Sequence, residues 1–474
     1  MRARMVLAGL LALVLAGCSA TAPTPAPSSV PAPDQGLPAR LVATASGDGA
    51  WSRLEQLQRI ADDNGGTRAL GRPGYDASVE YVAKSLRDKG FTVDTPTFEV
   101  RDFAVRDQRL TVGGAAVDTA VLGFSPATPA GGLRAPLHVV AQDATSGCEA
   151  EDFTGMPAGA IAVVLRGTCA FGVKSQNAAR AGAGAVIVVN TDDSPLQGTL
   201  GETPGTVPTT SVTGSAGRAL ATRAGAPAEL TLATETTQTT SRNVVAQTTT
   251  GDPGRVVMTG AHLDSVPEGP GIDDNGTGSA ALLEVATALG PNPQVTNAVR
   301  FAWWGAEEVG LVGSTRYVEG LAEADRARIA LYLNLDMVGG HNAGYLVYDG
   351  DDSDRQGEGP GPEGSATIER VLLEQLGTLG VQGAGTDFDG RSDYGPFIEA
   401  GIPSGGLFTG AEERKTAAQA AQWGGQAGQP FDPCYHQACD TLANVDRTAL
   451  DRNVDALAGA VGRFALSLDG IPAR

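Results

Sequence analysis

The chain has 474 residues, enough for two domains and a large core. Aromatic residues make up only 5 % and glycine numbers 64, a composition of small side chains rather than of disorder. The 34 Lys and Arg against 54 Asp and Glu leave a formal charge of −20, which argues against nucleic acid or an anionic membrane surface as partner and suits an exported protein with a solvated acidic surface.

Arg2 and Arg4 open the chain, and the apolar run Met5 to Ala16 follows, too short to span a bilayer comfortably. It ends in Leu15-Ala16-Gly17-Cys18, which resembles the lipobox of bacterial lipoproteins. That resemblance implies a signal peptide over 1–17, a lipid on Cys18, and an anchor at the outer face of the cytoplasmic membrane or cell envelope. The alternative is a plain secretory signal with a chance cysteine. Residues 18–45, rich in Pro, Ala, Thr and Ser, read as a tether that buries too little apolar surface to fold. Four cysteines remain: Cys148, Cys169, Cys434 and Cys439. An even number in an exported protein suggests disulfides, with four free thiols as the alternative. Cys434 and Cys439 are near enough to close a small loop.

From about Trp51, WSRLEQLQRIADDNGG and GYDASVEYVAKSLRDKG place apolar residues at helical spacing and stop at glycine. FTVDTPTFEV then reads as strand. Between Leu110 and Thr240 the character changes: short β-branched runs (LHVV, AIAVVLR, AVIVVN) alternate with Gly-rich turns, with one helix at Lys174–Ala181. From Arg242 onward strands and helices alternate. NVVAQTT, RVVMTGAHL, AVRFAWWGA and ARIALYLNLDMVG read as strands, and SAALLEVATALG, Thr367–Leu379 and Thr448–Leu468 as helices. Near-continuous apolar strands separated by helices predict an α/β domain, a mostly parallel mixed sheet flanked by helices. It takes in 46–109 and 241–474, and 110–240 is a β-rich domain inserted into it.

In such sheets, sites form beyond the carboxyl ends of the strands. There stand His262, Asp264, Asp274, Glu307, Glu308 and Asp336, with His436 late in the chain. Taken singly, each has a bland reading: a packed histidine, a charge pair at a helix N-terminus, an Asx turn, a cap. Taken together in a chain with four histidines, they are the donor types zinc prefers, and two zinc ions fit if one carboxylate bridges. His138 and His341 are assigned to structure or surface.

The stretches GAHLDS, GIDDNGTGSAALLE, WWGAEEVGLVGS, LNLDMVG, GRSDYGPF and CYHQACD resemble the secreted bacterial di-zinc aminopeptidases, a clan that includes aminopeptidase Y and glutamate carboxypeptidase II. The resemblance implies two Zn²⁺ per chain, His262 and Asp336 on one, His436 and Glu308 on the other, and Asp274 between them. It implies Glu307 as general base and Tyr435 as donor to the tetrahedral oxyanion. Asp264 would hold His262 by its far nitrogen, and the Asp274–Asn275 peptide would be cis. Glu307, Asp336 and Arg391 would recognise a free α-ammonium, and Phe408 would line the pocket for the first side chain. The substrates implied are peptides with a free N-terminus, and a monomer is expected. A carboxypeptidase or dipeptidase of the same fold, and a peptide-binding relative without catalysis, are the alternatives.

The segment GAIAVVLRGTCAFGVKSQNAARAGAGAVIVVN resembles the protease-associated (PA) domain of exported peptidases. That implies a Cys148–Cys169 bridge and either a lid over the cleft or a passive stabilising module. The acidic loop Asp349 to Gly364 reads as a solvated insertion, with Ca²⁺ as an alternative occupant.

Overall fold

A computed structural model describes residues 32–474 apart from 195, 197, 202 and 358. The leader and Cys18 lie outside the described residues. Two mixed eight-stranded sheets organise the chain. The first runs in the spatial order Val93–Asp94, Val244–Gln247, Asn297–Trp304, Asp252–His262, Ile329–Leu335, Ser404–Phe408, Leu346–Tyr348, Ala384–Thr386. Its four central strands are parallel. Val244–Gln247 and Leu346–Tyr348 flank them antiparallel.

The central strands are apolar on both sides because both sides are covered. Every residue of Ile329–Leu335 is buried. One face packs on helices Gly47–Asp63, Pro73–Asp88, Gly278–Leu289 and Arg447–Leu466, through Leu54, Val79, Leu282 and Val461 among others. The other face carries an aromatic layer in which Tyr332 and Phe397 stack at 3.8 Å.

The last part of the expected tether, 18–45, is folded, and its residues 18–31 lie outside the described residues. Leu37–Thr44 is a helix whose Leu37 and Leu41, one turn apart, join the main core. The approach is close: a side chain at Gly462 would strike Pro38 at 2.7 Å. Composition concealed this helix, because its two anchoring leucines sit among the Pro and Ala of the tether.

The second sheet has the order Ala115–Val117, Thr97–Val112, Pro227–Arg242, Leu133–Val139, Ile161–Leu165, Ala185–Val189, Thr209–Val212, Ala120–Val121. Its two long strands pair antiparallel from Thr97↔Arg242 to Val112↔Ala228. The expected boundaries at 109/110 and 240/241 therefore fall inside strands, and the β-rich body runs from about Thr97 to Arg242. Its two ends leave the α/β body side by side, with the Asn243 N–H donating to the Pro96 carbonyl at 3.0 Å. The helix expected at Lys174–Ala181 spans Phe171–Arg180. Cys148 and Cys169 are bonded, as are Cys434 and Cys439. Among the described residues no helix is long and apolar enough to cross a membrane.

Candidate metal centre

Parallel strands end at a common edge, so residues just past them converge. His262 closes its strand, Glu307 and Glu308 follow Asn297–Trp304, and Asp336 follows Ile329–Leu335. Asp274 arrives on the buried turn Ile272–Thr277, with a cis peptide to Asn275. Asn275 ties this turn to the Asp336 segment. Its Nδ2 donates to the Leu335 carbonyl at 2.8 Å, and its Oδ1 accepts from the Met337 N–H at 3.2 Å. His436 comes from the far end of the chain, on the small loop closed by the Cys434–Cys439 disulfide. Ala306, Met337 and His436 all hold left-handed backbone, with φ of 60°, 50° and 55°, conformations that cost about 1–3 kcal/mol each and gather at functional sites.

His262 Nε2 lies 3.2 Å from Asp274 Oδ1 and 3.2 Å from Asp336 Oδ1. His436 Nε2 lies 3.1 Å from Asp274 Oδ2 and 3.1 Å from Glu308 Oε2. Tetrahedral arms of about 2.0–2.1 Å put neighbouring donors roughly 3.3 Å apart, so both groups have the span a zinc ion requires. Glu308 Oε1 is buried without a hydrogen-bond partner, as an oxygen held for a cation would be. The donor set and its spacing thus fit the expected metal pair.

Burial alone would raise the Asp274 carboxyl, but hydrogen bonds from His262 and His436 hold it below its ordinary value. Burial, with Asp274 adjacent, lifts Glu308 to about 8. Burial would lower His436, but Asp274 and Glu308 outweigh it and raise the imidazole to about 10. Burial also pushes Glu307 well above its ordinary range, and Glu308, Asp393 and Asp336 add to it.

Asp264 meets the far nitrogen of His262, and does so through its main chain. The His262 Nδ1 atom faces the Asp264 backbone carbonyl at 3.1 Å, while the carboxylate stands 3.9 Å away. That carboxylate accepts instead the N–H groups of Glu307 (3.2 Å) and Glu308 (3.3 Å), fixing the backbone under both glutamates. Tyr435 stacks on the His436 ring at 3.9 Å, and its hydroxyl accepts from Arg391 Nη2 at 3.1 Å. Arg391 also pairs with Glu412 at 3.0 Å. Arg391 and Phe408 line a cleft of about 290 Å³ with Leu311, Met337 and Tyr348. His341 is exposed, and His138 lies half-buried on Leu133–Val139.

Sequence reasoning missed two supports. Ser392 Oγ donates to Asp336 Oδ2 at 2.5 Å. Asp440, fully buried, accepts the N–H groups of Asp273 (2.8 Å) and Asp274 (3.0 Å). Both lie inside stretches that signalled the site, GRSDYGPF and CYHQACD, but nothing in a linear motif tells a ligand from a residue that braces one.

Residues 243–461 match the model of peptidase family M28, and residues 134–220 match that of the PA domain. A protein named probable lipoprotein aminopeptidase LpqL, from Mycobacterium tuberculosis, is 50 % identical over 431 residues, covering 90 % of this chain and 86 % of its own. The chain belongs to peptidase family M28. An aminopeptidase of Pseudomonas aeruginosa is 44 % identical over 436 residues, covering 88 % of this M28 chain and 80 % of its own. Among solved structures, an aminopeptidase from Aneurinibacillus sp. strain AM-1 superposes with a TM-score of 0.71 at 26 % identity, covering 90 % of this chain and 96 % of that one. A zinc aminopeptidase of Bacillus subtilis does so with a TM-score of 0.58 at 27 % identity, covering 89 % and 96 %. The PA match lies within the second sheet's body, whose two long strands join it to the M28 body.

Proposed function

We propose that two zinc ions work in this cleft, one held by His262 and Asp336, the other by His436 and Glu308, with Asp274 shared. The chain is a metal-dependent aminopeptidase, as its family and the names of its relatives carry. The observation that carries the metal pair is the Asp274 carboxylate, whose two oxygens each face a different histidine.

When bound, such ions acidify a water molecule and polarise the scissile carbonyl. Glu307 takes the proton of the attacking water and returns it to the leaving amine. Tyr435 donates its hydroxyl proton to the oxyanion of the tetrahedral intermediate. The hydrogen bond it accepts from Arg391 leaves that proton free. Glu307, Asp336 and the backbone at Arg391 receive the substrate's free α-ammonium, and Phe408 lines the pocket for its first side chain. Of the described residues lining the cleft, Arg391 alone is an arginine or lysine, and it is engaged with Glu412 and Tyr435. A carboxypeptidase needs an unengaged cation for the substrate carboxylate, so this favours the aminopeptidase reading.

Two finer points belong to the same reading. Asp349, Asp351 and Glu369 offer oxygens within 4.8 Å of one another, a hard donor set of the kind calcium takes. A lipid on Cys18 tethers the enzyme outside the cytoplasmic membrane. Mass spectrometry finding an unmodified Cys18, or cleavage beyond it, would end that part.

The deciding assay is a panel of aminoacyl chromogenic substrates and N-blocked peptides, with chelator and zinc add-back. Cleavage of free N-termini that is lost to chelator and restored by zinc is the expected result. Cleavage of blocked peptides would move the assignment to a carboxypeptidase. Silence on every substrate would leave a binding protein.

A further inference from the structure

Two proposed ligands, His262 and Asp274, sit at the two ends of one Gly- and Pro-containing loop. The group that holds this loop comes from elsewhere in the chain. Arg68, in the stretch GGTRALGRPGY between the helices Gly47–Asp63 and Pro73–Asp88, is fully buried beneath it. Its Nε donates to the Pro270 carbonyl at 2.9 Å. Its Nη1 donates to the Leu263 carbonyl and its Nη2 to that of Gly271. The guanidinium thus grips the first residue after His262 and the last residues before the Asp274 turn.

The main chain of Arg68 reinforces the grip. Its N–H donates to Ser265 Oγ at 3.0 Å, and its carbonyl accepts the Ser265 N–H at 3.4 Å. Gly271 is left-handed, with φ of 60°, and a Cβ there would come within 2.3 Å of the Asp274 carbonyl and 3.2 Å of Arg68 Nη2. Only glycine lets the loop settle onto the arginine. Asp264, Asp440, Asp274 and Glu308 lie near enough to act electrostatically on the guanidinium charge. A buried cation is tolerated only with such anionic company, and two of these four carboxylates, Asp274 and Glu308, are proposed metal ligands.

We propose that Arg68 is a positioning residue for the metal pair. It holds the loop in the one fold that sets His262 against Asp274 before any metal arrives, and its fixed charge offsets the carboxylates gathered there. This rests on the two-zinc reading above. A loop already ordered loses no further entropy when the metals bind, so affinity rises. Lysine cannot substitute, because a point-like ammonium cannot span carbonyls arranged around a planar fork.

The test measures zinc alone against the full-length protein, by competition with a chromophoric chelator, for wild type, Arg68→Lys and Ser265→Ala. Arg68→Lys is expected to fold, to bind zinc roughly tenfold or more weakly, and to regain kcat in excess zinc while KM shifts by less than about threefold. A purely structural arginine would lower the melting temperature but leave zinc affinity and zinc rescue unchanged, and that result would overturn the proposal. Should Arg68→Lys not fold, Ser265→Ala decides. Weaker zinc binding with wild-type circular dichroism supports the proposal, and unchanged zinc binding overturns it. A wild-type protein that binds no zinc would overturn the metal reading and this proposal together. Wild-type binding of two zinc ions with unaltered variants would overturn this proposal alone.

Discussion

The His436 Nε2 atom lies 3.1 Å from Asp274 Oδ2, although one residue belongs to a disulfide loop late in the chain and the other to a turn beneath a helix. His262 meets the other oxygen of the same carboxylate. Removing the shared aspartate therefore affects both metal positions, and removing one histidine affects one. Asp274→Ala is expected to lose both zinc ions and activity, whereas His436→Ala retains one ion. Zinc content by atomic emission checks this. A full complement of two in Asp274→Ala would remove the shared-ligand geometry.

Glu307 and Tyr435 act on protons rather than on metals, so their variants separate chemistry from binding. Glu307→Gln is expected to lower kcat by about 10²–10⁴-fold. Tyr435→Phe is expected to lower it by about 10²–10³-fold. Both should keep wild-type zinc content. Normal turnover in Glu307→Gln with both metals bound would exclude it as the base.

Ser392 braces Asp336 through a 2.5 Å hydrogen bond. Ser392→Ala leaves that carboxylate free to turn. The expected cost is about 10–100-fold in zinc affinity, confined to the position held by His262 and Asp336. A two-step zinc titration reads it. Weakening of the His436 position instead would contradict the assignment of Asp336.

Glu369 couples stability to pH. Burial, aided by Asp349, raises its carboxyl from 4.5 to about 7, and it accepts the Gly350 N–H at 2.9 Å. A carboxyl raised in the folded state favours folding while protonated. That contribution is complete below 4.5 and is lost as pH climbs to about 7. Metal-free, calcium-free protein should lose stability across this window, and Glu369→Gln should flatten the slope. Calcium at 100 times its dissociation constant would add about 2.7 kcal/mol to wild type and nothing to Glu369→Gln. Chemical denaturation against pH, with and without calcium, checks both. No calcium effect at any pH would leave the loop without an ion.

Among the described residues, the cleft lining comes from those between His262 and His436, with none from the β-rich body. Replacing residues 98–241 by a short Asn-Gly turn joins neighbours, since Thr97 and Arg242 are already paired. The variant is expected to hold its ratio of long-peptide to dipeptide kcat/KM within about threefold of wild type. A larger change would make the insert a gate.

Much of this was legible in the chain because the signals are local. Apolar runs such as IALYLNL, buried along their whole length, announce central parallel strands wherever they pack. Donor residues placed just after such runs belong at one edge of a sheet by topology alone, and His262, Glu307, Glu308 and Asp336 stand there. Only the tertiary structure decided what those groups lean on. Asp264 turns its carboxylate to the N–H groups of Glu307 and Glu308 rather than to His262. Asp440 clasps the Asp273 and Asp274 backbone, and Arg68 grips the loop from beneath. Hydrogen bonds of this kind join residues far apart in sequence, and their choice among nearby partners turns on differences of a few tenths of an ångström. The same holds for the tether and the insert boundaries: Leu37 and Leu41 became a helix, and two strands ran past the expected division, because burial against distant partners outweighed local composition.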